Sequence, residues 1–211
     1  MNMMIFPKMP DFTKLQTVDW ATVAGTLLFM AILLPVTFCV SYYAASRWKG
    51  RKGKTIGAFM GITGAYALLL CCLFGLGATT VRGVIFCLIL LVASYSDMKT
   101  RECDDWLHVM IVITACIGCD LSTIAMHLGA AILVWLIMFI PTMGKSRIGG
   151  ADIKCAAACS FVVGLTRGMT ALVGSMLLAV LMNVCKNKAK RAEGFALVPY
   201  LAVGFLTVYL F

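Results

Sequence analysis

Charged residues are scarce in this chain of 211 residues. Asp, Glu, Lys and Arg make up 13% of it, against about 25% in an average soluble domain. Apolar residues make up 62%, and the mean hydropathy is +0.96. So few charged side chains cannot cover the surface of a water-soluble fold of this size. The composition therefore excludes a soluble single-core protein and predicts an integral membrane protein.

Acidic residues are the scarcest charged class. Nine Asp and Glu stand against 18 Lys and Arg, which gives a formal net charge of +9. In a soluble protein this excess would favour nucleic acid as a partner, but in a membrane protein Lys and Arg mark the cytoplasmic loops. The ten cysteines are dispersed through apolar runs, without the spacing of a disulfide framework. We therefore expect membrane lipids as neighbours and no nucleic acid partner.

Apolar segments suited to crossing a membrane, which takes about 20 residues, follow one another along the chain. The predicted spans are 20–45, 55–78, 80–96, two helices within 106–143 that turn near Asp120, 151–166, 168–185 after a turn near Arg167, and 194–211. We predict an all-α, polytopic membrane protein with about eight transmembrane helices. It would form a single integral membrane domain, with an N-terminal tail and two spans in 1–82 and a six-span core in 83–211.

The basic residues orient these spans. If the spans alternate, the loops at 46–54, 97–105, 144–154 and 186–193 share one side of the membrane, and they hold 14 of the 18 Lys and Arg residues. An excess of Lys and Arg marks the cytoplasmic side. Five carboxylates lie on this side and are candidates for function, because charges near a bilayer are costly: Asp97, Glu102, Asp104, Asp105 and Asp152.

Asp97 and Asp152 can meet at the same membrane face. Asp97 ends the third predicted span and Asp152 begins the sixth, with two spans between them. The intervening block 106–143 has 38 residues, or two helices of about 28 Å each at a rise of about 1.5 Å per residue. That length is enough for the chain to cross the membrane and return.

Two neighbouring carboxylates cannot both ionise cheaply, so one keeps a proton while the other is charged. Such a pair can hydrolyse an amide: the charged member takes a proton from the attacking water, and the protonated member donates to the carbonyl oxygen. Because a helix N-terminus stabilises an anion, Asp152 is the expected base and Asp97 the expected acid, although a coupled pair can exchange these roles. Gly149 and Gly150 would let a substrate backbone approach closely.

Two motifs resemble those of the type IV prepilin peptidases, membrane aspartic proteases that include the archaeal preflagellin enzymes. The first is the membrane-edge Asp followed by a basic stretch, Asp97-Met98-Lys99-Thr100-Arg101. The second is the family's Gly-x-Gly-Asp-x-Lys, which is similar to Gly149-Gly150-Ala151-Asp152-Ile153-Lys154. The end, Val198-Pro199-Tyr200-Leu201-Ala202-Val203-Gly204, is similar to the family's Pro-containing last helix. The resemblance implies that Asp97 and Asp152 are catalytic and that Gly149, Gly150 and Lys154 contact the substrate.

The sequence departs from the family pattern at two places. Ala151 replaces the second Gly of the second motif, and Cys103-Asp104 replaces an Ile-Pro pair. The second change leaves Asp104 and Asp105 as rivals of Asp97 or as auxiliary residues. They would otherwise cap the following helix or attract a basic substrate segment.

The resemblance implies a protease that removes the short basic leader of prepilin, pseudopilin or archaellin-like precursors at the cytoplasmic face of a prokaryotic inner membrane. Larger members carry a cytosolic insert with paired Cys-x-x-Cys motifs after the first span, associated with N-methylation. Here that place holds only residues 46–54, without Cys. We therefore expect no methyltransferase activity, no metal and no cofactor. A presenilin-like intramembrane protease, a proton-coupled transporter and a non-enzymatic pilus-assembly scaffold remain alternatives.

Overall fold

The computed structural model describes residues 20–48, 51–118, 121–143, 149–185 and 196–211. Within these ranges the regular structure is entirely helical, which confirms the all-α prediction. Its eight α-helices are α1 (Trp20–Arg47), α2 (Lys52–Phe74), α3 (Ala78–Thr100), α4 (Asp105–Ala115), α5 (Ile124–Phe139), α6 (Gly150–Val163), α7 (Leu165–Val184) and α8 (Val198–Leu210). Two 3₁₀ helices, Leu121–Thr123 and Ile140–Met143, flank α5.

Each of the eight predicted spans overlaps one of these α-helices, with ends that differ by up to four residues. Four of them, α1, α2, α3 and α7, are long and apolar enough to cross a membrane. The other four have 11 to 16 residues, fewer than the roughly 20 that a full crossing needs. The protein is therefore a polytopic helical membrane protein, and a count of crossings above four stays a prediction.

The chain forms two compact units. Residues 1–88 with 210–211 make the first unit, and Ile89–Tyr209 makes the second. In the first unit α1 packs against α2, and α1 leaves most of its apolar surface exposed, as expected of a helix that faces lipid. In the second unit α6 is central, since it packs against α4, α5 and α7. Small side chains on α6 make this possible: Cys155, Ala156, Cys159 and Ser160 are fully buried.

Two of the boundary differences change where a turn or a connection lies. The turn expected near Arg167 lies at Gly164, whose φ of +85° suits glycine because it has no Cβ, and Arg167 lies inside α7. The third span continues beyond residue 96, so that Asp97 lies within α3 and only residues 101–104 connect α3 to α4. The predicted turn at Asp120, the loop 186–193 and the N-terminal tail lie outside the described residues.

Candidate active site

Asp97 lies one turn before the end of α3 and is only 6% exposed. The helix stops because Arg101 takes a left-handed conformation, with φ of 59°, while its N–H still donates to the Asp97 carbonyl at 2.9 Å. The Oγ atoms of Ser96 and Thr100 both donate to the Glu102 carbonyl, at 2.9 and 3.1 Å. These bonds fold the chain back immediately after α3 and hold Asp97 in the interior of the second unit.

The carboxylate of Asp97 accepts a hydrogen bond from the start of α8. The backbone N–H of Val198 donates to Asp97 Oδ2 at 3.0 Å. The first N–H groups of a helix have no partner within it, so this donor is available, and Pro199, which follows it, has no N–H to satisfy. The Leu197 N–H and the Arg101 guanidinium also interact favourably with the Asp97 anion. Three groups therefore stabilise the charged form of this carboxylate.

Asp152 lies in the first turn of α6 and is partly buried. Its carboxylate is close enough to that of Asp97 for the two charges to repel each other. The structure thus brings together the two aspartates that the sequence singled out, from helices that are separated by α4 and α5 in the chain. Gly149, the residue before α6, provides a backbone N–H that stabilises the Asp152 anion.

Gly149 also lies against the carboxylate of Asp152. A Cβ on Gly149 would be 3.1 Å from Asp152 Oδ2, closer than ordinary van der Waals contact, so a larger residue would push the carboxylate away. A Cβ on Gly150 would meet nothing within 4 Å. The two glycines therefore differ: the first makes room for Asp152, whereas the second leaves open space beside the helix start.

Cys103, in the connection between α3 and α4, is buried beside both aspartates. Its thiol interacts with the side chains of Asp97, Asp152 and Cys155. Burial raises the pKa of this thiol, and the neighbouring carboxylates raise it further. The thiol therefore stays protonated at neutral pH, which makes it unsuitable as a nucleophile.

Asp104 and Asp105 have other partners. Asp104 occupies the N-cap position of α4, as expected, but makes no side-chain capping bond; its Oδ2 accepts from Trp106 Nε1 at 3.1 Å. Asp105 Oδ1 accepts from Lys154 Nζ at 2.8 Å. This bond and the Lys154 charge lower the pKa of Asp105 below its ordinary value. Asp105, at the start of α4, is therefore a stable anion, and Lys154 links it to α6.

Three features of this region have little or no signal in the sequence. The Val198 N–H is a backbone group, which every residue except proline has, and its only signal is the similarity of Val198-Pro199 to the last helix of the resembled family. Cys103 stands out only as a departure from the family pattern. His108, one turn into α4, is buried beside Asp105. Within the described part of the chain, no group of three or more His, Cys, Asp or Glu side chains is arranged to hold a metal ion.

Comparison with known proteins gives one match. The model of the type IV leader peptidase family matches residues 84–184, a range that contains most of α3, all of α4 to α7, and both Asp97 and Asp152. It confirms the resemblance that the sequence motifs indicated. No curated protein and no solved structure matches the chain.

Proposed function

Because residues 84–184 belong to the type IV leader peptidase family, a family of proteases, we propose that this membrane protein is an aspartic endopeptidase that removes the short basic leader of prepilin-like precursors. The observation that carries this proposal is the juxtaposition of Asp97 on α3 with Asp152 on α6. Asp97 precedes a loop and Asp152 follows one, and the distribution of Lys and Arg assigns both loops to the cytoplasm.

The reaction needs only the two carboxyl groups and water. One carboxylate accepts a proton from water as the water oxygen attacks the scissile carbonyl carbon, while the other carboxyl group donates its proton to the carbonyl oxygen. The tetrahedral intermediate then collapses, the C–N bond breaks, and the leaving nitrogen takes up a proton from the pair. The products are a leader with a new carboxyl group and a mature protein with a new amino terminus.

The hydrogen bonds favour Asp97 as the base. Val198, Leu197 and Arg101 stabilise the Asp97 anion, whereas one N–H, that of Gly149, stabilises the Asp152 anion. Hydrogen bonds to a carboxylate favour its charged form. We therefore assign the base to Asp97 and the acid to Asp152, the reverse of the order expected from the helix ends alone. The helix dipole acts on Asp152 in the opposite sense, but Asp97 has more donors.

The position of the pair supports this substrate class. Asp97 and Asp152 lie near the ends of their helices, so a precursor would present the junction between its leader and its apolar helix to them. The leader would remain on the cytoplasmic side, and the apolar helix would lie among the spans. Prepilins, pseudopilins and archaellins share this arrangement, and all three remain candidate substrates.

Mapping the cut site tests the proposal. A prepilin reporter is co-expressed with the protein, and the new amino terminus is read by mass spectrometry. We expect a cut after the small residue that ends the leader, with an unmethylated new terminus. A cut inside the apolar helix would instead support a presenilin-like protease. If none of several pilin-class reporters is cut, the result would favour a proton-coupled transporter or a pilus-assembly scaffold.

A further inference from the structure

The start of α4 and the start of α6 are joined by one ion pair, between Asp105 and Lys154. Lys154 Nζ lies 2.8 Å from Asp105 Oδ1, and the two side chains are 54% and 74% exposed. Lys154 follows Asp152 by two residues on α6. Exposed ion pairs of this kind add little stability, because solvent screens them and both side chains lose freedom. An incoming cation can therefore replace Lys154 at Asp105.

His108 lies beside this ion pair, and its ring interacts with the Asp105 carboxylate and the buried Cys155 thiol. Its side chain is 8% exposed, and its Nδ1 lies 3.7 Å from Asp105 Oδ1. Neither ring nitrogen has a hydrogen-bond partner among the described residues. An unpaired polar group that is buried is costly. The ring of His108 can therefore accept a hydrogen bond from a ligand that has several N–H donors. Lys154 makes one hydrogen bond at this site, to Asp105.

We propose that Asp105 and His108 form a binding site for a basic side chain of the leader, and that Lys154 occupies this site until the substrate replaces it. This inference rests on the proposed function and adds a specificity-determining site to it. A lysine ammonium has three donors and no acceptor. Seated between Asp105 and His108, it can donate to the carboxylate and to the acceptor nitrogen of a neutral imidazole.

The site lies at the same end of α6 as the aspartate pair. Lys154, which bonds to Asp105, follows Asp152 by two residues near the start of α6. The cation that binds Asp105 therefore belongs close to the scissile bond, and a leader scanned with a single Lys locates its position.

The experiment uses reporters whose leaders carry a single Lys at successive positions, with Gln at the other basic positions, and one reporter with no basic residue. Each is cleaved by membranes that contain the wild-type protein, Asp105→Asn, Lys154→Met or Glu102→Gln. The last variant is the matched control, because it removes an exposed carboxylate from the same connection. The readouts are KM and kcat separately.

We expect the wild type to have a KM several-fold lower for a leader with Lys at one position close to the cut than for the neutral leader. Asp105→Asn should lose this preference, so that its KM becomes equal for the basic and neutral leaders, and Glu102→Gln should keep it. Lys154→Met should lower the KM for the basic leader, because it removes the competing cation. If Lys154 instead contacted the substrate directly, its loss would raise KM.

Two results would overturn the inference. An unchanged Lys preference in Asp105→Asn, while the wild type still cuts, would contradict the binding site and leave the peptidase proposal standing. If the wild type cuts neither basic nor neutral leaders, the result would contradict both the binding site and the peptidase proposal. Asp105→Lys adds a positive test that does not depend on loss of activity, since it should now prefer a leader with Glu at the same position.

Discussion

The backbone N–H of Val198 and the carboxylate of Asp97 are 101 residues apart in the sequence and 3.0 Å apart in the structure. This bond links the start of α8 to the last turn of α3. It also distinguishes the two aspartates, because it stabilises the charge on Asp97. The position of α8 therefore affects how strongly the charged form of Asp97 is stabilised.

We predict that Gly204→Ala lowers both stability and activity. Gly204 is where α8 touches α7: a Cβ there would overlap Ser175 Oγ and lie 2.8 Å from the Ala171 carbonyl oxygen. Overpacking of this kind costs about 1–3 kcal/mol, and relief by a shift of α8 would displace the Val198 N–H. The checks are thermal unfolding in detergent and reporter cleavage. Gly174→Ala, where a Cβ meets nothing within 4 Å, is the control and should retain stability; equal losses in both variants would contradict the packing argument.

Gly149→Ala should lower kcat more than KM. Its Cβ would be 3.1 Å from Asp152 Oδ2 and would displace that carboxylate by a few tenths of an ångström. Misplacement of a catalytic group by about 1 Å can cost about 100-fold, so we expect a loss of about tenfold. Gly150→Ala should act through KM if at all, because a Cβ there meets nothing within 4 Å. A wild-type kcat in Gly149→Ala, measured on purified protein, would refute the contact.

We expect the Arg101→Gly variant to be more stable than the Arg101→Ala variant, because Arg101 has a left-handed backbone conformation. Its φ of 59° costs a residue with a side chain about 1–2 kcal/mol, but costs glycine almost nothing. Both substitutions remove the guanidinium, so the difference between them isolates the backbone effect. We expect Arg101→Gly to exceed Arg101→Ala by about 1 kcal/mol in free energy of unfolding, measured by denaturation in the same detergent. Equal stabilities would mean that the turn after α3 has another conformation.

The helices were the most predictable part of the molecule. Long apolar runs interrupted by charges predict the eight α-helices of the described residues, because burying charge in a bilayer is costly. The same rule predicts a turn near Arg167, yet Arg167 lies inside α7 and the turn is at Gly164. The free backbone of glycine decided that boundary, which a charge pattern does not reveal.

The candidate site was predictable in part. The number of spans between Asp97 and Asp152 indicated that the two could meet, since two crossings return the chain to the same face. The partners of each carboxylate could not be predicted. The Val198 N–H is a backbone donor with no side-chain signature, and the pairing of Asp105 with Lys154 depends on how α4 packs against α6. The helix ends alone therefore favour the opposite order of acid and base from the one that we propose.

The central claim is that Asp97 and Asp152 together hydrolyse the leader peptide bond. The most direct measurement is the single-turnover cleavage rate of a prepilin reporter by purified wild type, Asp97→Asn, Asp152→Asn and Asp104→Asn, each first shown to insert and accumulate equally. We predict that the first two variants lose about 10²–10⁴-fold in rate, whereas Asp104→Asn keeps most of its activity because Asp104 bonds to Trp106. A normal rate in either Asp97→Asn or Asp152→Asn would contradict the account.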